Sequence, residues 1–190
     1  MAQDSGTSAA LLAEGLTKRF GARCALDGVS LRVGAGEAMG LVGANGAGKT
    51  TFLKCLLALC APDAGRATLF GIDRRDARSR ARLAYLPERF APPHYLLGRE
   101  FLAMTMALAG AHLDAARARS IAEELELDPQ AYDRPVRQLS KGTTQKLGLA
   151  ACFLQDRDLY VLDEPMSGLD PRSEEHTSEL QSRLHLVCRL

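Results

Sequence analysis

A chain of 190 residues with 46% hydrophobic side chains is long enough to fold as one domain with a buried core. Its formal net charge of +1 gives no basic field, so nucleic acid is not an expected partner. Its 5 cysteines include no Cys-x-x-Cys pair, which argues against a disulfide framework or a zinc site and suits a reducing compartment.

The N-terminal part is predicted to be rich in strands. Residues 11–33 indicate two or three short strands with a turn at Gly21. The apolar run at 37–42 predicts a buried strand, and the run at 52–59 predicts a helix.

The segment between them has the spacing of a phosphate-binding loop, or Walker A motif. Residues 43–51 read Gly-Ala-Asn-Gly-Ala-Gly-Lys-Thr-Thr, which fits Gly-x-x-x-x-Gly-Lys-Ser/Thr. Glycines let backbone N–H groups surround phosphates, and the following helix adds its positive end. Lys49 is expected to reach the β- and γ-phosphates, and Thr50 to offer a hydroxyl to Mg²⁺. The candidate nucleotide-binding residues here are Gly43, Asn45, Gly46, Gly48, Lys49, Thr50 and Thr51.

Strands and then helices are predicted further along the chain. Residues 62–65 predict a turn, and the predicted strands that follow it are at 67–70 and 81–86. The arginine-rich stretch from Arg74 to Arg89 is interleaved with acids and is predicted to be a solvated surface. Helices are predicted at 97–109, 113–127 and from Ser140 to Leu154, followed by a strand at 158–162.

Two carboxylates follow this last strand, as in a Walker B motif. A buried strand that ends at a phosphate site can place Asp163 beside Mg²⁺ and Glu164 beside the attacking water. Ser140 begins a predicted helix, where its hydroxyl and the Gly142 N–H could face an anion, although a simple helix cap explains the same residues.

Five motifs in this order resemble the ATPase subunits of ABC transporters. They are the phosphate loop, Tyr85-Leu86-Pro87-Glu88, Leu139-Ser140-Lys141-Gly142, Leu162-Asp163-Glu164-Pro165 and Ser167-Gly168-Leu169-Asp170. The resemblance covers about residues 11–171 and implies an α/β P-loop NTPase core. It further implies an N-terminal antiparallel β subdomain and an inserted helical subdomain at about 92–155.

The resemblance also implies roles for single residues. Phe20 would stack on adenine, and Glu88 would sense Mg²⁺ and take part in catalysis with Lys49 and Glu164. Thr50, Asp163 and Glu88 would surround the metal. Ser140 and Gly142 would reach the γ-phosphate held by a second ATPase subunit, with Asp170 at the crossing point of a head-to-tail dimer around two ATP molecules.

The implied function is ATP hydrolysis that drives a separate transmembrane permease subunit from the cytoplasmic face of the cell membrane. Glu88 where the family has Gln, and Ser-Lys-Gly in the signature, resemble type-2 exporters and favour export. A soluble ABC ATPase of translation or DNA repair is the alternative. The about ninety residues between Thr50 and Ser140, with one short helical lobe, favour transport.

The last residues depart from the family. Residues 172–190 contain no glycine, proline or alanine and resemble the translation of a sequencing-library adapter, although an amphipathic helix is a second interpretation. On either interpretation, His176 and His185 are not placed as the family's switch histidine. The central strand that carries this histidine is then missing, and the 190-residue chain is expected to be insoluble or inactive.

Overall fold

Two long strands open the described part of the chain, which covers residues 9–166 of this computed structural model. β1 (Ala9–Phe20) and β2 (Arg23–Gly34) form an antiparallel hairpin. β3 (Ala64–Leu69) pairs with the other edge of β1, and β4 (Ile72–Asp73) pairs with β3, which gives the order β2-β1-β3-β4. The predicted antiparallel β subdomain is confirmed, with β3 starting inside the segment predicted as a turn.

The prediction of a buried strand at 37–42 is wrong. These residues have no regular secondary structure, and Val42 is 83% exposed. A strand in a parallel sheet needs a hydrogen-bonded neighbour, and within residues 9–166 no strand pairs with this segment. The apolar composition of the run was therefore not sufficient to make it a strand.

Apart from the short helix at Ala77–Arg80, which was not predicted, the helices and the remaining strands agree with the predicted order. Their bounds are α1 (Lys49–Leu56), α2 (Ala77–Arg80), β5 (Leu83–Leu86), α3 (Gly98–Leu108), α4 (Ala115–Glu124), α5 (Lys141–Leu154) and β6 (Leu159–Leu162). Two 3-10 helices, Pro129–Tyr132 and Val136–Gln138, lie between α4 and α5. Side-chain caps define the starts of α4 and α5, since Asp114 accepts from the N–H of Ala116 and Ser140 accepts from the N–H of Thr143.

β6 separates two hydrophobic cores. Its side chains alternate, so that Leu159 and Val161 pack with α1 and the antiparallel sheet, whereas Tyr160 and Leu162 pack with α3, α4 and α5. β5 lies parallel to it, with Leu83 opposite Leu159 and Leu86 opposite Leu162. Both faces of β6 are buried, as expected for a strand of a parallel sheet.

Arg74 corrects the prediction that the arginine-rich stretch is a solvated surface. It is only 8% exposed, and its guanidinium donates to the carbonyl of Cys55 at 2.8 Å and to that of Cys60 at 3.4 Å. The carbonyls at the end of a helix lack partners within the helix. Arg74 supplies a hydrogen-bond donor to the last turn of α1 and so fixes the end of the helix that follows the phosphate loop.

Gly148 brings α5 into close contact with β5. A Cβ at this position would lie 2.7 Å from Cε1 of Phe90 and 2.8 Å from Cδ1 of Leu86. A glycine-to-alanine change in an exposed helix stabilises by up to about 1 kcal/mol. At position 148 we expect the same substitution to destabilise the protein.

We predict that Gly148→Ala in the full-length protein lowers the free energy of unfolding by about 1 to 3 kcal/mol, because the added methyl group overpacks the core. Urea unfolding followed by circular dichroism measures the change. Ser120→Ala, at an exposed position of α4, is the control and should be neutral or slightly stabilising. Equal stability of the Gly148→Ala and Ser120→Ala proteins would contradict the close packing.

Candidate functional site

A cavity of about 550 Å³ lies where the hairpin, the phosphate loop and the ends of β5 and β6 meet. Its lining combines an aromatic ring, two cations and two carboxylates with the loop backbone. The lining residues are Phe20, Arg23, Ala25, Asn45, Gly46, Gly48, Lys49, Thr50, Thr51, Glu88 and Glu164. Segments that are far apart in the sequence therefore share one cavity.

The loop conformation depends on two glycines. Gly46 has φ +80° and Gly48 has φ +96°, a left-handed region that favours glycine. A Cβ on Gly48 would lie 2.2 Å from the carbonyl oxygen of Ala25 in β2. The loop thus rests directly on the β2 backbone, and Gly48 starts α1 with its unpaired N–H groups at the cavity.

Lys49 lies against its own loop. Its ammonium donates to the carbonyl of Gly43 at 2.6 Å and to that of Ala44 at 3.2 Å. These are interactions with neutral carbonyls, at a position that lines the cavity. A phosphate anion there would offer the ammonium a stronger, charge-assisted partner.

Asp163 and Thr50 join the two halves of the site. Asp163 follows β6 and is fully buried, and its Oδ1 accepts a hydrogen bond of 3.4 Å from the Thr50 hydroxyl. Its Oδ2 has no partner among the described residues. Burial raises the pKa of Asp163, nearby Glu88 and Glu164 raise it further, and the bond from Thr50 lowers it.

Glu164 and Glu88 line the cavity beside this pair. Glu164 adopts φ +49°, which is uncommon for a residue with a side chain and costs of order 1 to 3 kcal/mol. Such strain persists only where the surrounding structure holds the residue in place, and it is often found at functional sites. Glu88 enters from the segment that follows β5.

Phe20 forms one wall of the cavity. It is 53% exposed, and the Lys18 ammonium lies 5.4 Å from the centre of its ring. An exposed aromatic ring at the rim of a polar cavity offers a flat surface for a planar ligand.

The remaining predicted residues lie elsewhere. The Ser140 hydroxyl accepts from the Thr143 N–H at 3.1 Å and is paired with the Thr143 hydroxyl at 2.8 Å. Neither Ser140 nor Gly142 lines the cavity within residues 9–166. Gly43 contributes only its carbonyl to Lys49. Asp170, the tail at 172–190, His176 and His185 lie outside the described residues.

Arg23 and Ala25 line the cavity but were not predicted. Both lie on β2, and Arg23 is the register partner of Phe20 across the hairpin turn. Directly opposed residues of an antiparallel pair project to the same face. The hairpin register, once combined with the prediction for Phe20, was the signal that could have identified Arg23.

The fold and this cavity define a P-loop nucleotide-binding domain of the α/β class. The chain belongs to the ABC transporter family, which it matches over residues 26–167. The resemblance to ABC ATP-binding subunits is therefore confirmed.

Two curated relatives illustrate this membership, and a solved structure shares the fold. The daunorubicin resistance ATP-binding protein DrrA2 of Streptomyces coeruleorubidus is 43% identical over 169 residues, covering 86% of this chain and 52% of that protein. The Nod factor export ATP-binding protein I of Burkholderia lata is 40% identical over 160 residues, covering 82% of this chain and 52% of that protein. The chain spans about half the length of these curated relatives.

The solved structure is that of a putative ABC transporter ATP-binding protein from Pyrococcus furiosus. It has a TM-score of 0.83 at 22% identity and covers 95% of this chain and 90% of that one. At this identity the likeness shows the shared fold. In residues 9–166, no helix is long and apolar enough to cross a membrane.

We predict that, in the full-length protein, the Gly48→Ala variant unfolds at a lower urea concentration than the Gly71→Ala variant. Both positions have positive φ, at +96° and +74°, but only at Gly48 would the new Cβ meet a backbone atom. The conformational cost of about 1 to 2 kcal/mol is common to both variants. The contact with Ala25 should add about 1 to 3 kcal/mol at position 48. Equal urea midpoints would contradict this packing.

Proposed function

We propose that this chain is the ATP-binding and ATP-hydrolysing part of an ABC transporter subunit, which drives a separate transmembrane permease. The observation that supports this is one cavity that Lys49 and Thr50 of the phosphate loop line together with Glu88 and Glu164. We further propose that the ATPase domain covers residues 11–171, with its helical subdomain at about 92–155, and that 172–190 is a non-native tail.

The residues present fit Mg²⁺. Asp163 has a buried carboxylate oxygen that no other described residue contacts by a hydrogen bond, and its other oxygen lies 3.4 Å from the Thr50 hydroxyl. Mg²⁺ prefers oxygen ligands and is usually held by one or two carboxylates together with substrate phosphates. Thr50 and Asp163 would hold it, with Glu88 beside them, and the metal would neutralise charge on the phosphates.

The chain's own groups account for the other requirements of phosphoryl transfer. Lys49 would exchange its hydrogen bonds to the carbonyls of Gly43 and Ala44 for contacts with the β- and γ-phosphates. Backbone N–H groups would surround these phosphates, at Asn45, Gly46, Gly48 and Thr51. Glu164 would orient the attacking water and accept its proton. Phe20 would stack on the adenine ring.

We propose that two such subunits sandwich two ATP molecules head to tail. Ser140 and Gly142 lie outside the cavity of their own chain, at the start of α5, where their N–H and hydroxyl groups could face a phosphate on the second subunit. Asp170 would lie at the crossing point between the two sites. Closure would need ATP in both sites, and hydrolysis would reopen the dimer.

Export is the direction that the relatives favour. One of them is named for daunorubicin resistance and another for Nod factor export. By analogy, the subunit would work on the inner face of the cell membrane, held there by its permease. The transported molecule would contact that permease rather than residues of this chain.

We predict that Lys49→Ala in the full-length protein lowers the affinity for Mg-ATP at least about tenfold, because a charge-assisted contact to phosphate is removed. Isothermal titration calorimetry measures the affinity. Arg119→Ala is the control with the same change in charge, since Arg119 is exposed on α4 and does not line the cavity. If wild type bound no Mg-ATP, the proposed function would be wrong.

We predict that Glu164→Gln keeps Mg-ATP binding but lowers hydrolysis at least about a hundredfold, because an amide cannot accept the proton of the attacking water. The variant should also accumulate as an ATP-dependent dimer in size-exclusion chromatography with light scattering. Phosphate release at the wild-type rate would exclude Glu164 as the general base.

A further inference from the structure

Arg23 is a cation in the cavity that the phosphate-loop motif does not include. It begins β2 directly after the hairpin turn and is the register partner of Phe20. Its Nη2 donates to the carbonyl of Gly46 at 3.0 Å. The side chain therefore bridges from the aromatic wall of the cavity to the phosphate loop.

Packing does not explain this side chain. Arg23 is exposed, and none of the ion pairs among residues 9–166 includes it. Other arginines of the chain, such as Arg66 and Arg82, are paired with carboxylates. A guanidinium has five N–H donors, of which the bond to Gly46 uses one. Arg23 thus keeps both its charge and most of its donors available.

Arg23 sets the balance of charge in the cavity lining. The charged side chains in the lining are Arg23, Lys49, Glu88 and Glu164, so the two cations only balance the two carboxylates. Without Arg23 the carboxylates would outnumber the cations. A polyphosphate is itself strongly anionic, and the planar guanidinium fork matches phosphate oxygens.

We infer that Arg23 is a nucleotide-binding residue whose guanidinium contacts the phosphates nearest the ribose, between the base on Phe20 and the loop at Gly46. This inference rests on the proposed function. Lys49 serves the β- and γ-phosphates, whereas Arg23 acts on phosphates that ATP and ADP share. Its contribution to binding is therefore nearly equal for the two nucleotides.

The test compares Arg23→Gln, Arg23→Lys and Arg19→Gln with wild type in the full-length protein. Arg19 is an exposed arginine of the same hairpin that does not line the cavity, so its variant has the same change in net charge. Mg-ATP and Mg-ADP affinities are measured by calorimetry at low and high salt. Circular dichroism verifies that each variant is folded.

Arg23→Gln should lower the affinities for Mg-ATP and Mg-ADP by a similar factor, about tenfold at low salt, with a smaller loss of affinity at high salt. Arg23→Lys keeps the charge without the fork and should lie between Arg23→Gln and wild type. Arg19→Gln should bind like wild type. This pattern supports direct contact with phosphate.

Two results would overturn the inference while leaving the proposed function intact. In one, wild type binds and Arg23→Gln binds within about twofold of it at low salt. In the other, Arg23→Gln and Arg23→Lys lose affinity equally and independently of salt, which means that Arg23 only holds the Gly46 carbonyl. Failure of wild type to bind either nucleotide would overturn both proposals.

Discussion

The burial of β6 on both faces is the constraint on which the rest of this structure depends. Alternate side chains of the strand enter different cores, with Val161 packed with α1 and Leu162 packed with α3, α4 and α5. The two hydrophobic cores are therefore packed against one strand. Because β6 ends at Asp163, the same packing places a carboxylate at a defined position beside Thr50. The position of the buried acid is a consequence of how the cores are divided.

The second essential contact is between the antiparallel hairpin and the phosphate loop. The hairpin packs against this loop and also forms one wall of the cavity. Gly48 lies so close to the carbonyl of Ala25 that no side chain fits between them. The same strand carries Arg23 opposite Phe20. A short stretch of β2 thus sets the conformation of the loop and the chemical character of the wall next to it. This coupling explains why the hairpin belongs to the functional site.

Local patterns predicted most elements, and the exceptions have physical causes. The helices α4 and α5 have apolar periodicity and capping residues, which are local properties. The segment at 37–42 is apolar but is not a strand, because strand formation depends on a neighbour that its own residues do not specify. Arg74 is buried because the end of α1 leaves carbonyls without partners, and charge patterning in the sequence does not reveal that.

The sequence by itself determined the phosphate loop, the acids after β6 and the order of the elements, because each depends on residue types at short, regular spacing. The tertiary structure decided which of these residues share a cavity. It placed Glu88 and Glu164 in the same cavity as Lys49, left Ser140 outside, and added Arg23. Distances between residues as far apart as Thr50 and Asp163 follow from how β6 and α1 pack in a common core. Such packing is a property of the whole fold rather than of any single segment.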